Sequence, residues 1–300
     1  MKEVYTLADL RDWPAETPPV RLAVLGDPVA HSASPPMHNA ALAACGIDAR
    51  YGRLHIRAEE LAETFRLLPQ RGFIGVNCTI PHKAGALAAV DDADDAARRA
   101  GGVNTVCVAA DGRLRGFSTD GPGCERAILE QFGVPLRELR VLVLGAAGGA
   151  GRAVAMQCAA AGVPQLTLIN RNVDKLRSLR EAVTGFYPGL RLAASPWEDA
   201  SLAAALDESD LLVNCSALGM KPGDPSPVRS DLLASRHLVY DTIYTAARTP
   251  LMLAADSAGA RSANGFSMLL HQGALAFEIW FQREAPVEVM RAALAGIAKA

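Results

Sequence analysis

The sequence has no large excess of charge of either sign. Thirty lysines and arginines against thirty-two acidic residues leave a net charge of −2 over 300 residues, so a generally basic nucleic-acid-binding surface is not expected. Long hydrophobic runs are missing too. The longest, over 141–151, is rich in glycine and alanine and stops at Arg152, too short to span a bilayer. The first five residues, Met-Lys-Glu-Val-Tyr, lack the positive-then-apolar pattern of a signal peptide. The expectation is a soluble cytoplasmic protein with neither a membrane nor a nucleic-acid partner. Clustered cysteines are absent: Cys45, Cys78, Cys107, Cys124, Cys158 and Cys215 are scattered with no C-x-x-C pair. That excludes a C-x-x-C zinc site and a dense disulfide scaffold, and reduced thiols are expected. The six histidines form no H-E-x-x-H pattern, so no metal is expected. The chain also lacks a G-x-S-x-G elbow and a Y-x-x-x-K pair, which argues against a serine hydrolase and a short-chain dehydrogenase.

Half of the residues are apolar and 21% are charged, a globular balance with length enough for two domains. Short apolar runs alternate with longer helical patterns, the signature of an α/β fold with a largely parallel sheet. Strands are expected over 21–25, 49–56 and 73–80. A helix capped by Ser34, with Pro35 in its first turn, should run to Gly46, and another should cover 58–68. A short helix should open at Pro81, and Asp111-Gly112 marks a hairpin between strands at 103–108 and 114–117. Beyond residue 140 the pattern becomes Rossmann-like. A strand over 140–144 leads into a glycine loop over 145–151, then an alanine-rich helix to Gly162 and a strand over 165–169. Further strands fit 210–215 and 238–241, and two helical patterns, 267–283 and 287–298, close the chain.

A strand, a glycine turn and a helix together make an anion site. Glycine lets the backbone approach a pyrophosphate, and the helix N-terminus offers unpaired N–H groups. The loop reads Gly145-Ala-Ala-Gly148-Gly149-Ala-Gly151, not a strict G-x-G-x-x-G. Past the following strand, where an NAD site usually places an acid for the ribose, stands Asn170-Arg171-Asn172. Arg171 can pair with a 2′-phosphate and an acid would repel it, so NADP is the expected cofactor, with Asp174 nearby as the opposing sign.

Only five of the basic residues are lysines, against twenty-five arginines. Lys83 follows Asn77-Cys78-Thr79-Ile80-Pro81-His82 and falls near a helix N-terminus. The positive end of a helix disfavours a cation, so a proton-transfer role is the functional reading of its place there. Strand alternation puts Asn77 and Thr79 on one face and Cys78 on the other. Asp120, in Ser118-Thr119-Asp120-Gly121, stands at the start of a helix, where an N-cap explains it as readily as chemistry does.

Taken together, seven short motifs resemble those of the shikimate dehydrogenase family, in family order and over nearly the whole chain. They are Gly26-Asp-Pro28-Val-Ala-His31-Ser32-Ala-Ser34-Pro35-Pro-Met-His38-Asn39, then Asn77-Cys-Thr79-Ile-Pro81-His-Lys83, Gly102-Val-Asn104-Thr105 and Ser118-Thr-Asp120-Gly121. Asn214-Cys-Ser216-Ala-Leu-Gly219-Met220-Lys-Pro222, Asp241-Thr-Ile-Tyr244 with Thr249-Pro250-Leu251, and Asn264-Gly265-Phe266-Ser-Met268-Leu-Leu-His-Gln272-Gly273-Ala274 complete the set. The resemblance implies a two-domain α/β protein: a substrate domain over 1–120 and 265–300, and a Rossmann-like NADP domain over 121–264. It implies that Ser32 and Ser34 bind a substrate carboxylate. Asn77, Thr79, Asn104, Tyr244 and Gln272 would bind the ring and its hydroxyls, and Lys83 and Asp120 would form the catalytic pair. Gly145, Gly148, Gly149, Asn170, Arg171, Met220 and Gly265 would contact the dinucleotide. The implied reaction is reversible NADP-dependent oxidation of shikimate to 3-dehydroshikimate, by a monomer or homodimer.

Three features depart from the family pattern: Ser118 stands for an asparagine, Cys78 for a valine, and the glycine loop is one alanine longer, at 146 or 147. A relative acting on quinate or an aminated analogue, with NADP or NAD, and a non-catalytic ligand sensor remain the alternatives at this point.

Overall fold

The computed structural model describes residues 2–13, 15, 17–221, 223–245 and 247–297. Pro222 of the fifth motif and Ala298, the expected end of the last helix, lie outside them. The chain divides into two compact units, Met1–Thr119 with Gln272–Ala300, and Asp120–His271.

The first unit opens with β1 (Tyr5–Thr6), α1 (Leu7–Arg11), β2 (Val20–Gly26), α2 (Ser34–Ala44), β3 (Arg50–His55) and α3 (Leu61–Gln70). It continues with β4 (Gly75–Cys78), α4 (Lys83–Ala89), β5 (Asp92–Ala93), α5 (Asp95–Ala100), β6 (Thr105–Val108) and β7 (Leu114–Phe117). Its sheet has the order β1-β3-β2-β4-β6-β7-β5. β2 is parallel to β3 and β4, whereas β6 is antiparallel to both β4 and β7. This arrangement gathers the motifs. The C-terminal ends of β2, β4 and β7 and the N-terminal end of β6 share one edge, with Leu25 opposite Cys78, Asn77 opposite Thr105, and Thr105 opposite Phe117. Each of the first four motifs leaves a strand at, or enters one from, that edge.

Three local expectations are corrected. Ala33, not Ser34, is the N-cap of α2, and it has helical dihedrals; Ser34 is the first helical residue and is buried. Pro81 precedes α4 rather than opening it. His82 is its N-cap, following a turn closed by His82 N–H donating to Thr79 O at 2.8 Å. Thr79 lies one residue past the end of β4. The hydrophobic spacing does place Cys78 in the core of this unit, as a valine replacement would be.

The second unit runs α6 (Asp120–Phe132), β8 (Arg140–Leu144), α7 (Gly149–Ala160), β9 (Gln165–Asn170), α8 (Val173–Phe186), β10 (Leu192–Pro196) and α9 (Asp199–Asp207). β11 (Leu211–Asn214), β12 (Leu238–Asp241), α10 (Pro250–Ser257) and β13 (Arg261–Ala263) follow, then α11 (Phe266–Phe281), within which the division between the units falls. The sheet is wholly parallel, in the order β10-β9-β8-β11-β12-β13, the doubly wound Rossmann order. After Arg140, β8 is apolar because both faces are covered: Val141 and Val143 enter one core, Leu142 and Leu144 the other. The last helix, α12 (Val287–Ile297), packs on α2 in the first unit. No helix among the described residues is long and apolar enough to cross a membrane.

Candidate functional site

At the shared strand edge of the first unit, the polar motif residues are held by one another. Asn77 is buried at the end of β4; its Nδ2 donates to Thr105 Oγ1 at 2.9 Å and to the Asn104 carbonyl at 3.2 Å. Asn104 Nδ2 donates to Thr119 Oγ1 at 2.8 Å, and Thr119 N–H donates back to Asn104 Oδ1 at 2.7 Å. Gln272, the first residue of the returning chain in this unit, accepts from Asn104 Nδ2 at 3.4 Å. Lys83 joins them through its backbone, its carbonyl accepting from Val103 N–H at 2.9 Å. The close approach explains Gly102, where a Cβ would stand 3.3 Å from Lys83 Cβ. His82 Nε2 bonds to the Ile56 carbonyl at 2.7 Å and anchors the start of α4. Thr79 lies beside Gly26, where a Cβ would meet the Thr79 methyl at 2.5 Å. The structure thus brings together Asn77, Thr79, Lys83, Asn104 and Gln272.

Ser32 and Ser34 sit on the loop between β2 and α2 and at the start of α2. Ser32 Oγ accepts from Ser34 N–H at 3.3 Å. Two neighbours of this loop were not singled out in the sequence. Arg53 Nη2 donates to the Ser32 carbonyl at 2.9 Å, and its Nε is buried without a partner among the described residues. Tyr51, fully buried on β3, donates its hydroxyl to Asn77 Oδ1 at 2.7 Å. The last two residues of the first motif serve Tyr51: Asn39 bonds both its N–H and its carbonyl, at 2.8 and 3.0 Å, and the His38 ring stacks on it at 4.4 Å. Burial pushes the His38 imidazole down to about 3, and neither ring nitrogen has a partner among the described residues. Burial likewise pushes the Cys78 thiol up to about 12, which keeps it protonated and inert.

Asp120 and Tyr244 belong to the second unit. Asp120 is the first residue of α6 and is buried; Tyr244 is 42% exposed, its ring 5.9 Å from that of Phe266. Ser118, the asparagine replacement, is buried beside Asp94, whose carboxylate accepts from its backbone N–H.

The glycine loop of the second unit lies at the topological switch point, where β8 and β11 run side by side and their crossovers leave in opposite directions. A pocket of about 450 Å³ opens there, lined by Gly145, Gly148, Asn170, Arg171 and Trp197 on one side, and by residues 215–218, Lys221 and Asp224 on the other. Gly145 has φ +67°, and a Cβ on it would stand 2.8 Å from Ser216 N. A Cβ on Gly151 would stand 2.3 Å from the Gly145 carbonyl oxygen. Gly148 is the N-cap of α7, so the first turn of that helix starts at the loop, with Gly149 as its first residue. The lengthened loop still closes. Ala146 is buried in the core, Ala147 N–H donates to Asn170 Oδ1 at 3.3 Å, and Gly148 N–H donates to the Gly145 carbonyl at 3.0 Å. Asn170 therefore supports the loop as well as lining the pocket. A glycine-walled pocket at a helix N-terminus, with two cations on its rim, fits a phosphorylated dinucleotide.

Three residues expected at the dinucleotide, Gly149, Met220 and Gly265, are not part of this lining. Met220 is exposed, its N–H donating to the Ala217 carbonyl at 3.2 Å, and the pocket is lined by its neighbour Lys221 instead. Gly265 packs on the backbone of β12's exit: a Cβ would stand 2.1 Å from the Thr242 carbonyl oxygen. Asp241, just before it, accepts from Asn214 Nδ2 at 2.9 Å and from Thr249 Oγ1 at 2.7 Å, so much of the fifth and sixth motifs ties strand ends together.

Comparison with known proteins agrees with this arrangement. Residues 24–106 match the family model of the shikimate dehydrogenase substrate binding domain, and residues 265–295 that of the shikimate 5′-dehydrogenase C-terminal domain. A shikimate dehydrogenase (NADP+) of Symbiobacterium thermophilum is 44% identical over 92% of this chain and 94% of its own length. A shikimate dehydrogenase crystallised with NADP+ superposes with a TM-score of 0.84, at 32% identity, covering 92% of this chain and 95% of that one. The Thermus thermophilus shikimate 5-dehydrogenase in complex with NADP(H) and shikimate gives 0.81 at 38% identity, covering 93% and 99%. The chain belongs to the shikimate dehydrogenase family.

Proposed function

We propose that the protein catalyses the reversible NADP-dependent oxidation of shikimate to 3-dehydroshikimate. The observation that carries this reading is the interlocked set Asn77, Thr105, Asn104 and Thr119, buried side chains whose mutual hydrogen bonds fix one another at the strand edge to which the Lys83 backbone is tied. A polyol ring is recognised by several convergent hydrogen-bonding side chains of this kind. Asn77 spends both amide hydrogens within the protein, so its free lone pair is left to accept from a substrate hydroxyl.

In this reading the first unit is the substrate domain and the second binds NADP. Ser32 and Ser34 hold the carboxylate, and Thr79, Asn77, Asn104, Gln272 and Tyr244 orient the ring. Gly145, Gly148, Gly149, Asn170 and Arg171 receive the dinucleotide, which supplies or accepts the hydride when bound. Lys83 and Asp120 form the acid/base pair: they withdraw the proton from the reacting hydroxyl in the oxidising direction and return one to the carbonyl oxygen in the other. The reading carries with it a cytoplasmic protein working as a monomer or homodimer.

The test is absorbance at the reduced-nicotinamide band with shikimate or quinate, each with NADP+ or NAD+. Turnover dominated by shikimate with NADP+ supports the reading. A preference for quinate or NAD+, or no turnover in any combination, overturns it.

A further inference from the structure

Among the described residues, the Arg171 guanidinium has no hydrogen-bond or ion-pair partner; it lies over the Trp197 ring, 5.0 Å from its centroid. Asp174, the acid nearest in sequence, is turned elsewhere and pairs with Arg177 at 3.5 Å. The stack follows from the sheet. Pro196 at the end of β10 is in register with Asn170 at the end of β9, so the residues that follow, Trp197 and Arg171, leave adjacent strands side by side. Both line the glycine-loop pocket, and Lys221 lines it too. Asp224 is occupied by the backbone N–H groups of Gly219 and Lys221, at 3.1 and 2.9 Å, and so shapes the loop that presents Lys221.

From this arrangement we infer that Trp197 is a positioning residue for the cofactor's 2′-phosphate, acting through Arg171; the inference rests on the function proposed above. An unpaired arginine on a surface samples many rotamers, and fixing them on ligand arrival weakens binding. A ring against the guanidinium face restrains it beforehand. No hydrogen bond among the described residues takes up the Arg171 N–H groups, and those are the groups that take a phosphate bidentately. Trp197 thereby sets the preference for NADP over NAD without itself touching the phosphate.

Titration calorimetry of the whole protein with NADP+ and with NAD+ tests this on wild type, Trp197→Leu, Trp197→Phe and Arg171→Gln. A cation–π contact of this kind predicts that Trp197→Leu weakens NADP+ by about fivefold to tenfold and leaves NAD+ within about twofold. Trp197→Phe, which keeps an aromatic face, is expected to retain most of the NADP+ affinity, and Trp197→Leu should cost little further in the Arg171→Gln background. Unchanged NADP+ affinity in Trp197→Leu, or equal loss for both dinucleotides, overturns the inference alone. Wild-type protein that binds neither dinucleotide overturns the proposed function and this inference with it.

Discussion

The Tyr51 hydroxyl donates to Asn77 Oδ1 at 2.7 Å, inside the core of the first unit, with both residues buried. This bond orients the Asn77 amide, since it fixes which end is oxygen and sends the two amide hydrogens to Thr105 and the Asn104 carbonyl. The residues that make Tyr51 rigid, His38 and Asn39, lie far from Asn77 in sequence but belong to the first motif.

Tyr51→Phe keeps the ring and its stacking but strips Asn77 of its donor. Leaving a buried acceptor unpaired costs about 1–3 kcal/mol, which chemical denaturation will read. The KM for shikimate should rise several-fold, more than kcat falls, because ring orientation is affected and the proton-transfer groups are not. Unchanged stability and KM would refute the positioning role.

His38 gives the fold a dependence on acid. Its imidazole is held neutral down to about pH 3 in the fold, whereas in the unfolded chain it takes a proton below about pH 6.5. Its contribution is therefore complete above about pH 6.5 and is lost as pH falls from there toward 3, at about 1.4 kcal/mol per unit. In His38→Leu this part of the acid destabilisation should be missing. Urea midpoints at pH 7.5 and 5 for both proteins check it, and equal pH dependence would contradict it.

Gly265→Ala separates packing from ligand contact. The new methyl meets the Thr242 carbonyl 2.1 Å away, and overpacking against backbone costs about 1–3 kcal/mol. The melting temperature should fall in protein free of any dinucleotide. An unaltered melting temperature with weakened NADP+ binding would instead assign Gly265 to the cofactor.

Much of this was legible along the chain. The α/β class followed from alternating strand and helix patterns, and β8 with its glycine loop from an apolar run broken by glycine, whereas the division into domains came from the family resemblance. The placement of Cys78 in a core and Asn77 among polar groups followed from period-two alternation. A serine before a proline is a common cap, but Ala33 holds that place and Ser34 is the buried first residue of the helix. Tyr51, Arg53, Trp197 and Lys221 were not found. Each matters only through a neighbour brought near by strand pairing or loop closure, and no local spacing records that. Trp197 left one usable sign, its place just beyond a strand that would have had to pair beside Asn170. The short strands β1, β5 and β13 have two or three residues each, too few to show a period.

The most direct test of the account is Lys83→Ala, assayed for shikimate oxidation with NADP+ alongside a shikimate binding titration. Removal of a general acid/base predicts a loss of about 10²- to 10⁴-fold in kcat, with shikimate affinity much less changed and the fold intact by circular dichroism. A turnover number equal to that of the wild type would contradict the role of Lys83 and with it the mechanism proposed here.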